Sequence, residues 1–228
     1  MRHFFNWKQV LTVSRLLSYK NLGEFMTKFL NKKSCYIGKN VKFGKNVIIY
    51  ENNHIEGNCV IGDNVTLLPN NFIDSCIIED ECLIHNSVIE KSQIGKRCKI
   101  GPFARIRPNT IIDEECKIGN FVEVKNSHIG SETKISHLAY VGDAEVGEKC
   151  NIGCGVIFAN YDGKNKNKIE IGNHVFIGSN CNLIAPLKID NDSFICAGTT
   201  VTENVSKNKF VIGRVKQENK ENKKIRYV

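Results

Sequence analysis

No uninterrupted apolar run in these 228 residues approaches the length of a membrane span, which excludes an integral membrane segment. The close CxxC pairs that zinc sites use are absent. So is any tight pair among His3, His54, His85, His128, His137 and His174, and no metal is expected. A secretory n-region and h-region are missing as well, so a reduced cytoplasmic setting is expected for the ten cysteines. The formal charge of +8 suits phosphorylated ligands or an acidic surface. Nucleic acid is set aside, because the chain carries neither a recognition module nor interleaved aromatics. With four prolines and 41% hydrophobic residues it reads as an ordinary soluble chain, long enough for one extended core.

What is present is a six-residue rhythm. An aliphatic residue followed by glycine recurs at Ile37-Gly38, Ile61-Gly62, Ile94-Gly95, Ile100-Gly101, Ile118-Gly119, Ile129-Gly130, Val146-Gly147, Ile152-Gly153, Ile171-Gly172 and Ile177-Gly178. Most intervals are six, a multiple of six or one residue off such a multiple, from about Tyr36 to Val205. Such self-similarity marks a parallel β-helix, in which short strands stack and only neighbouring coils bury the apolar face. The fold class is therefore all-β, with roughly nine triangular coils. Glycine after the aliphatic position suits a corner, through positive φ and close backbone approach.

Six cysteines, Cys59, Cys82, Cys98, Cys116, Cys150 and Cys181, fall four residues after the aliphatic position, where a small side chain fills a coil. They read as buried small hydrophobes. In the phrase Ile135-Ser136-His137-Leu138-Ala139-Tyr140-Val141-Gly142-Asp143, a histidine stands where the repeat is expected to want such a filler. Stacking gives no reason for an imidazole, so His137 is the leading candidate for a general base.

Two segments break the rhythm. Residues 1–35 carry Trp7, Val10, Leu11, Phe25, Met26, Phe29 and Leu30 at three- and four-residue intervals among basic residues, which predicts two short amphipathic helices. They read either as a cap on the open end of the solenoid or as an arm for a membrane surface or a partner. Asn160–Lys168 is polar, contains glycine and cannot continue a hexad, so it loops out of the wall with Lys164, Lys166 and Lys168 as a mobile clamp for phosphate. The domains are then 1–35, a β-helix over 36–205, and an extension with a basic tail over 206–228.

The runs Ile100–Pro108, Gly119–Lys125, His137–Glu145, Asn151–Gly153, Asn160–Gly163 and Ala197–Thr202 closely resemble the acetyltransferase domain of the bifunctional glucosamine-1-phosphate acetyltransferase and N-acetylglucosamine-1-phosphate uridyltransferase family. The likeness covers about residues 36–215 and keeps that family's spacing from Arg107 to Arg214. It implies a left-handed β-helix and a homotrimer with sites between subunits, using acetyl-CoA as donor. It also implies Arg107 and Lys125 as holders of the sugar phosphate, and Tyr140 and Asn151 as further substrate contacts. His137 is the implied base, with Asn160 and Lys166 completing a neighbour's site. Cys154, Ser179, Ala197 and Arg214 are the implied coenzyme contacts. The family usually has alanine at Cys154, where the backbone N–H is what matters; the thiol reads as inert, because an acetyl acceptor would need a cation to lower its pKa. The family's uridyltransferase domain has no counterpart in the roughly 34 residues before the repeats.

The chemistry suits these residue types. A sugar amine attacks a thioester only as the free base, and an imidazole can take its proton. Arg107 offers a planar fork to a phosphate and Lys125 a point charge; Asp143 or Glu145 would orient the ring. The expected function is transfer of acetyl from acetyl-CoA to glucosamine 1-phosphate. The alternatives are a nucleotide-linked amino sugar as acceptor, or an idle β-helix docking a separate uridyltransferase chain. A β-helical zinc enzyme of the carbonic anhydrase kind is set aside by the histidine spacing.

Overall fold

The computed structural model describes residues 26–219. It is an all-β, left-handed parallel β-helix of about ten turns. Each coil contributes one short strand to each of three walls. In one coil these are Lys99–Ile100 on the first wall, Arg105–Ile106 on the second and Ile111–Ile112 on the third. Each pairs in parallel with the same strand of the coils before and after.

The hexad dictates this arrangement. Ile100, Ile106 and Ile112 point inward and are 0–2% exposed, while Cys98, Ala104 and Thr110 fill the corners between them. Burying each isoleucine contributes about 1.5–3 kcal/mol, but only when adjacent coils cover it. The six hexad cysteines lie in the core as free thiols. At Cys98 the Cys116 thiol pulls the pKa down, yet the Cys82 thiol and burial outweigh it and push it up to about 12.

Most glycines of the repeat serve close approach rather than positive φ, Gly101 at φ 99° being the exception. A Cβ on Gly95 would lie 2.7 Å from the Asp113 carbonyl carbon and 2.8 Å from the Glu114 nitrogen of the next coil. Left-handed backbone falls instead on corner residues such as Arg97, Glu115, Glu132 and Lys149, at φ 55–60°. Their side chains project outward and pair along the corner, Arg97 with Glu115 at 2.8 Å and Lys149 with Glu132 at 3.5 Å.

His137 is not a filler. The small inward residue four places after Ile135 is Ala139, 5% exposed, and His137 stands outside the coil. The chain here departs from two-residue strands. Lys117–Lys125 and Lys134–Gly142 are unbroken nine-residue strands that turn the corner between the first and second walls. They join the two walls into one 19-stranded sheet and leave the third as a separate 9-stranded sheet.

At the N-terminal end Lys28–Phe29 is a strand, where the spacing predicts helix. The open edge of the stack wins: Lys28 N–H donates to the Val47 carbonyl at 2.8 Å, and the Phe29 ring packs edge-on against Phe43 at 6.2 Å. The rest of the helical reading, over residues 1–25, lies outside the described residues. Phe210–Val211 extends the first wall past Val205 by pairing with Phe194–Ile195. Among the described residues no helix is long and apolar enough to cross a membrane.

Candidate active site

The shared corner of the two long strands holds His137. Register places Asn120 directly opposite it one coil earlier, and the Asn120 Oδ1 lies 2.7 Å from the His137 Nδ1. An amide oxygen only accepts, so Nδ1 carries the proton and donates it, leaving the Nε2 lone pair free. Gly119 allows the rows to approach: a Cβ there would fall 1.8 Å from the Ser136 carbonyl oxygen. The ring orienter is therefore Asn120, not Asp143 or Glu145. Glu145 is engaged on the third wall with His128, at 2.6 Å, and with Lys168, at 3.2 Å.

The second wall carries Arg107, Lys125 and Tyr140. Arg107 Nη1 lies 2.8 Å from Glu123 Oε1, a carboxylate that sits where an anionic ligand would compete for the fork. Lys125 is mostly covered, its ammonium 3.6 Å from Asp143 Oδ2. Tyr140 folds its hydroxyl back over Gly142, where any Cβ would meet the hydroxyl at 2.4 Å and the Asn160 amide nitrogen at 2.9 Å. Gly142 is thus the floor on which Tyr140 and Asn160 meet.

The Asn160–Lys168 segment is ordered by its own side chains. Asp162 Oδ1 accepts from the backbone N–H groups of Lys164 and Asn165 at 2.8 and 2.6 Å, and Oδ2 accepts from the Asn167 amide at 2.9 Å. These donors, the Asn165 N–H foremost, hold its carboxyl below the usual range. Tyr161 bridges Lys166 in antiparallel fashion. At the base of the loop Asn160 is buried, 7% exposed, and its amide donates to Asp143 of the same chain. Lys166 likewise stands against its own chain's Lys125, whose ammonium holds the Lys166 pKa below the ordinary value. Within one chain the loop thus rests on its own second wall, with Asn160 against Asp143 and Lys166 against Lys125.

Cys154, Ser179 and Ala197 form a column on the corner below His137. Gly155 N–H donates to the Leu138 carbonyl at 2.7 Å, Asn180 N–H to Cys154 O at 2.8 Å and Gly198 N–H to Ser179 O at 2.8 Å. Arg214 closes the column through Nη1 to the Ala197 carbonyl at 2.8 Å. All four side chains are exposed. Asn151 is the outlier. It lies on the first wall, paired with Lys134 and Phe176, and turns away from Tyr140.

Among the described residues no group of three or more His, Cys, Asp or Glu side chains is placed to hold a metal ion. Asn120, Glu123, Gly142 and the role of Asp143 escape a reading of the sequence. The signal available was the seventeen-residue coil of this part of the stack, which sets Asn120 one coil before His137.

Residues 88–165 match a family model described as the GMPPB C-terminal domain. Over 191 residues the chain is 49% identical to the bifunctional protein GlmU of Clostridium kluyveri, covering 84% of this chain and 42% of that protein. Over 211 residues it is 44% identical to the bifunctional protein GlmU of Clostridium botulinum, covering 92% and 46%. In fold it resembles LpxA, a UDP-N-acetylglucosamine acyltransferase from Bacteroides fragilis, with a TM-score of 0.59 at 18% identity over 78% of this chain and 69% of that one. The chain spans less than half the length of the curated relatives it matches, and the match lies in their C-terminal half.

Proposed function

We propose that this chain, a relative of the C-terminal acetyltransferase half of those bifunctional proteins, transfers acetyl from acetyl-CoA to the amine of glucosamine 1-phosphate. The observation that carries the reading is the His137 corner. A base with a free Nε2 stands between an exposed backbone column suited to an extended thioester and a wall suited to a phosphate.

In this mechanism acetyl-CoA lies along Cys154, Ser179, Ala197 and Arg214 with its thioester at His137. Arg107, Lys125 and Lys166 receive the phosphate, and Tyr140 and Asn160 contact the sugar. The amine loses its proton to His137 Nε2 as it attacks the thioester carbonyl, the Asn120 oxygen steadies the imidazolium through Nδ1–H, and the coenzyme thiolate leaves. Cys154 supplies a backbone contact and takes no acetyl group.

Asn151 supports a trimer. It projects from the first wall and Tyr140 from the second, and outward residues of adjoining walls diverge. One small acceptor touches both only when Asn151 comes from another copy. A coenzyme-release assay with glucosamine 1-phosphate, free glucosamine and UDP-linked amino sugars tests the reaction, and inactivity with the first of these refutes it. Mixing His137→Ala and Asn151→Ala subunits tests the assembly. A random trimer restores about a quarter of the sites, and confirmed exchange without recovered activity rules the shared site out.

A further inference from the structure

Asp143 lies beneath the phosphate-facing wall, and nothing in acetyl transfer itself requires a carboxylate there. Its side chain is 13% exposed and its backbone is left-handed, with φ 52°. Burying a charge is costly unless it is matched by hydrogen bonds and counter-charge, so each contact bears on why it is retained. The Asn126 amide donates to Oδ1 at 2.6 Å, the Asn160 amide donates to Oδ2, and the Lys125 ammonium lies 3.6 Å from that same oxygen. Asn126 belongs to the corner and Asn160 to the base of the loop, so one carboxylate ties loop to wall.

The titratable groups facing this point are Lys125, Lys166 and the Tyr140 phenol. The two lysines repel each other, and Asp143 opposes the effect of Lys125 on Lys166. We propose that Asp143 is a positioning residue for a phosphorylated acceptor, anchoring Lys125 and the Asn160 loop so that Lys125 and Lys166 meet one phosphate dianion together. A neutral side chain of the same shape would keep the packing but leave two ammonium groups to separate. The inference rests on the acceptor being a sugar phosphate.

The test is Asp143→Asn, which preserves shape and tolerates the left-handed backbone. The KM for glucosamine 1-phosphate should rise about tenfold or more with kcat nearly unchanged, while the KM for acetyl-CoA and the slow reaction of free glucosamine stay put. Its alkaline rise in KM should also begin at lower pH, since Lys166 loses its counter-charge. Adding Asn126→Asp, which returns a carboxylate to the neighbouring position, should recover much of the loss. An unchanged KM, or an equal fall in kcat with both acceptors, overturns the proposal. Should Asp143→Asn fail to fold, Asn126→Ala frees Oδ1 and leaves the charge; about a threefold rise in the same KM then supports the role and none overturns it. Should the wild-type chain acetylate no hexosamine phosphate, the functional reading falls separately, and calorimetric titration with inorganic phosphate decides the role of Asp143. Weaker binding by Asp143→Asn supports it and equal binding overturns it.

Discussion

Asn120 offers the sharpest test of how this corner works, because it touches the base and not the substrate. Its oxygen accepts the Nδ1 proton of His137 at 2.7 Å, which selects the tautomer with a free Nε2. Removing the ring in His137→Ala deletes general-base catalysis and should lower kcat by about 10²- to 10⁴-fold, with acetyl-CoA binding nearly unchanged. Removing only its partner in Asn120→Ala costs one neutral hydrogen bond, about 0.5–1.5 kcal/mol, so kcat should fall about two- to tenfold. Asn120→Asp separates orientation from charge. A carboxylate beside Nδ1 favours the imidazolium over the neutral ring. The base works only when neutral, so the acidic limb of kcat/KM must move to higher pH. Steady-state kinetics from about pH 5.5 to 9 across the three variants read all of this. If the limb stays put in Asn120→Asp while Asn120→Ala is fully active, Asn120 does not orient the base. If His137→Ala keeps a near-normal kcat, the corner is not the reaction centre.

Arg107→Ala should raise the KM for the phosphorylated acceptor by about tenfold or more, because a bidentate partner is lost; an unchanged KM removes Arg107 from phosphate binding. In Gly95→Ala the new Cβ meets Asp113 and Glu114 backbone at 2.7–2.8 Å, so denaturant unfolding should show a loss of about 1–3 kcal/mol. At His128, burial alone would depress the pKa, but hydrogen bonds to Glu145 and Asp113 outweigh it and hold it above the ordinary value. Its stabilising contribution is complete below the unfolded histidine pKa and lost as pH rises through the folded one, so the stability gap to His128→Gln should be largest near pH 5.5 and shrink by about pH 8. A thiol reagent applied to native protein should label exposed Cys154 well before the eight buried cysteines, and mass spectrometry of the digest identifies the sites.

The β-helix was legible in the sequence because the hexad is a local rule: each aliphatic residue, each glycine and each filler cysteine sees the same surroundings coil after coil. His137 stands out for the same reason, as a residue the rule does not need, although the inward filler is Ala139, two positions further on. Arg107, Lys125 and Tyr140 were nameable by their resemblance to a family, and the stack puts them on one wall. What the sequence alone determined, then, was the period, the core and the residues that stand out from it. Only the tertiary structure decided what those residues touch. Which side chain faces which depends on coil length, and coils here are unequal; the Asn120–His137 step is seventeen residues, while the loop stretches the step from Gly147 to Asn173. Hydrogen bonds across such steps, between His137 and Asn120 and between Asp143 and both Asn126 and Asn160, join residues far apart in the chain, and a register error of one residue would turn each to the opposite side of the wall.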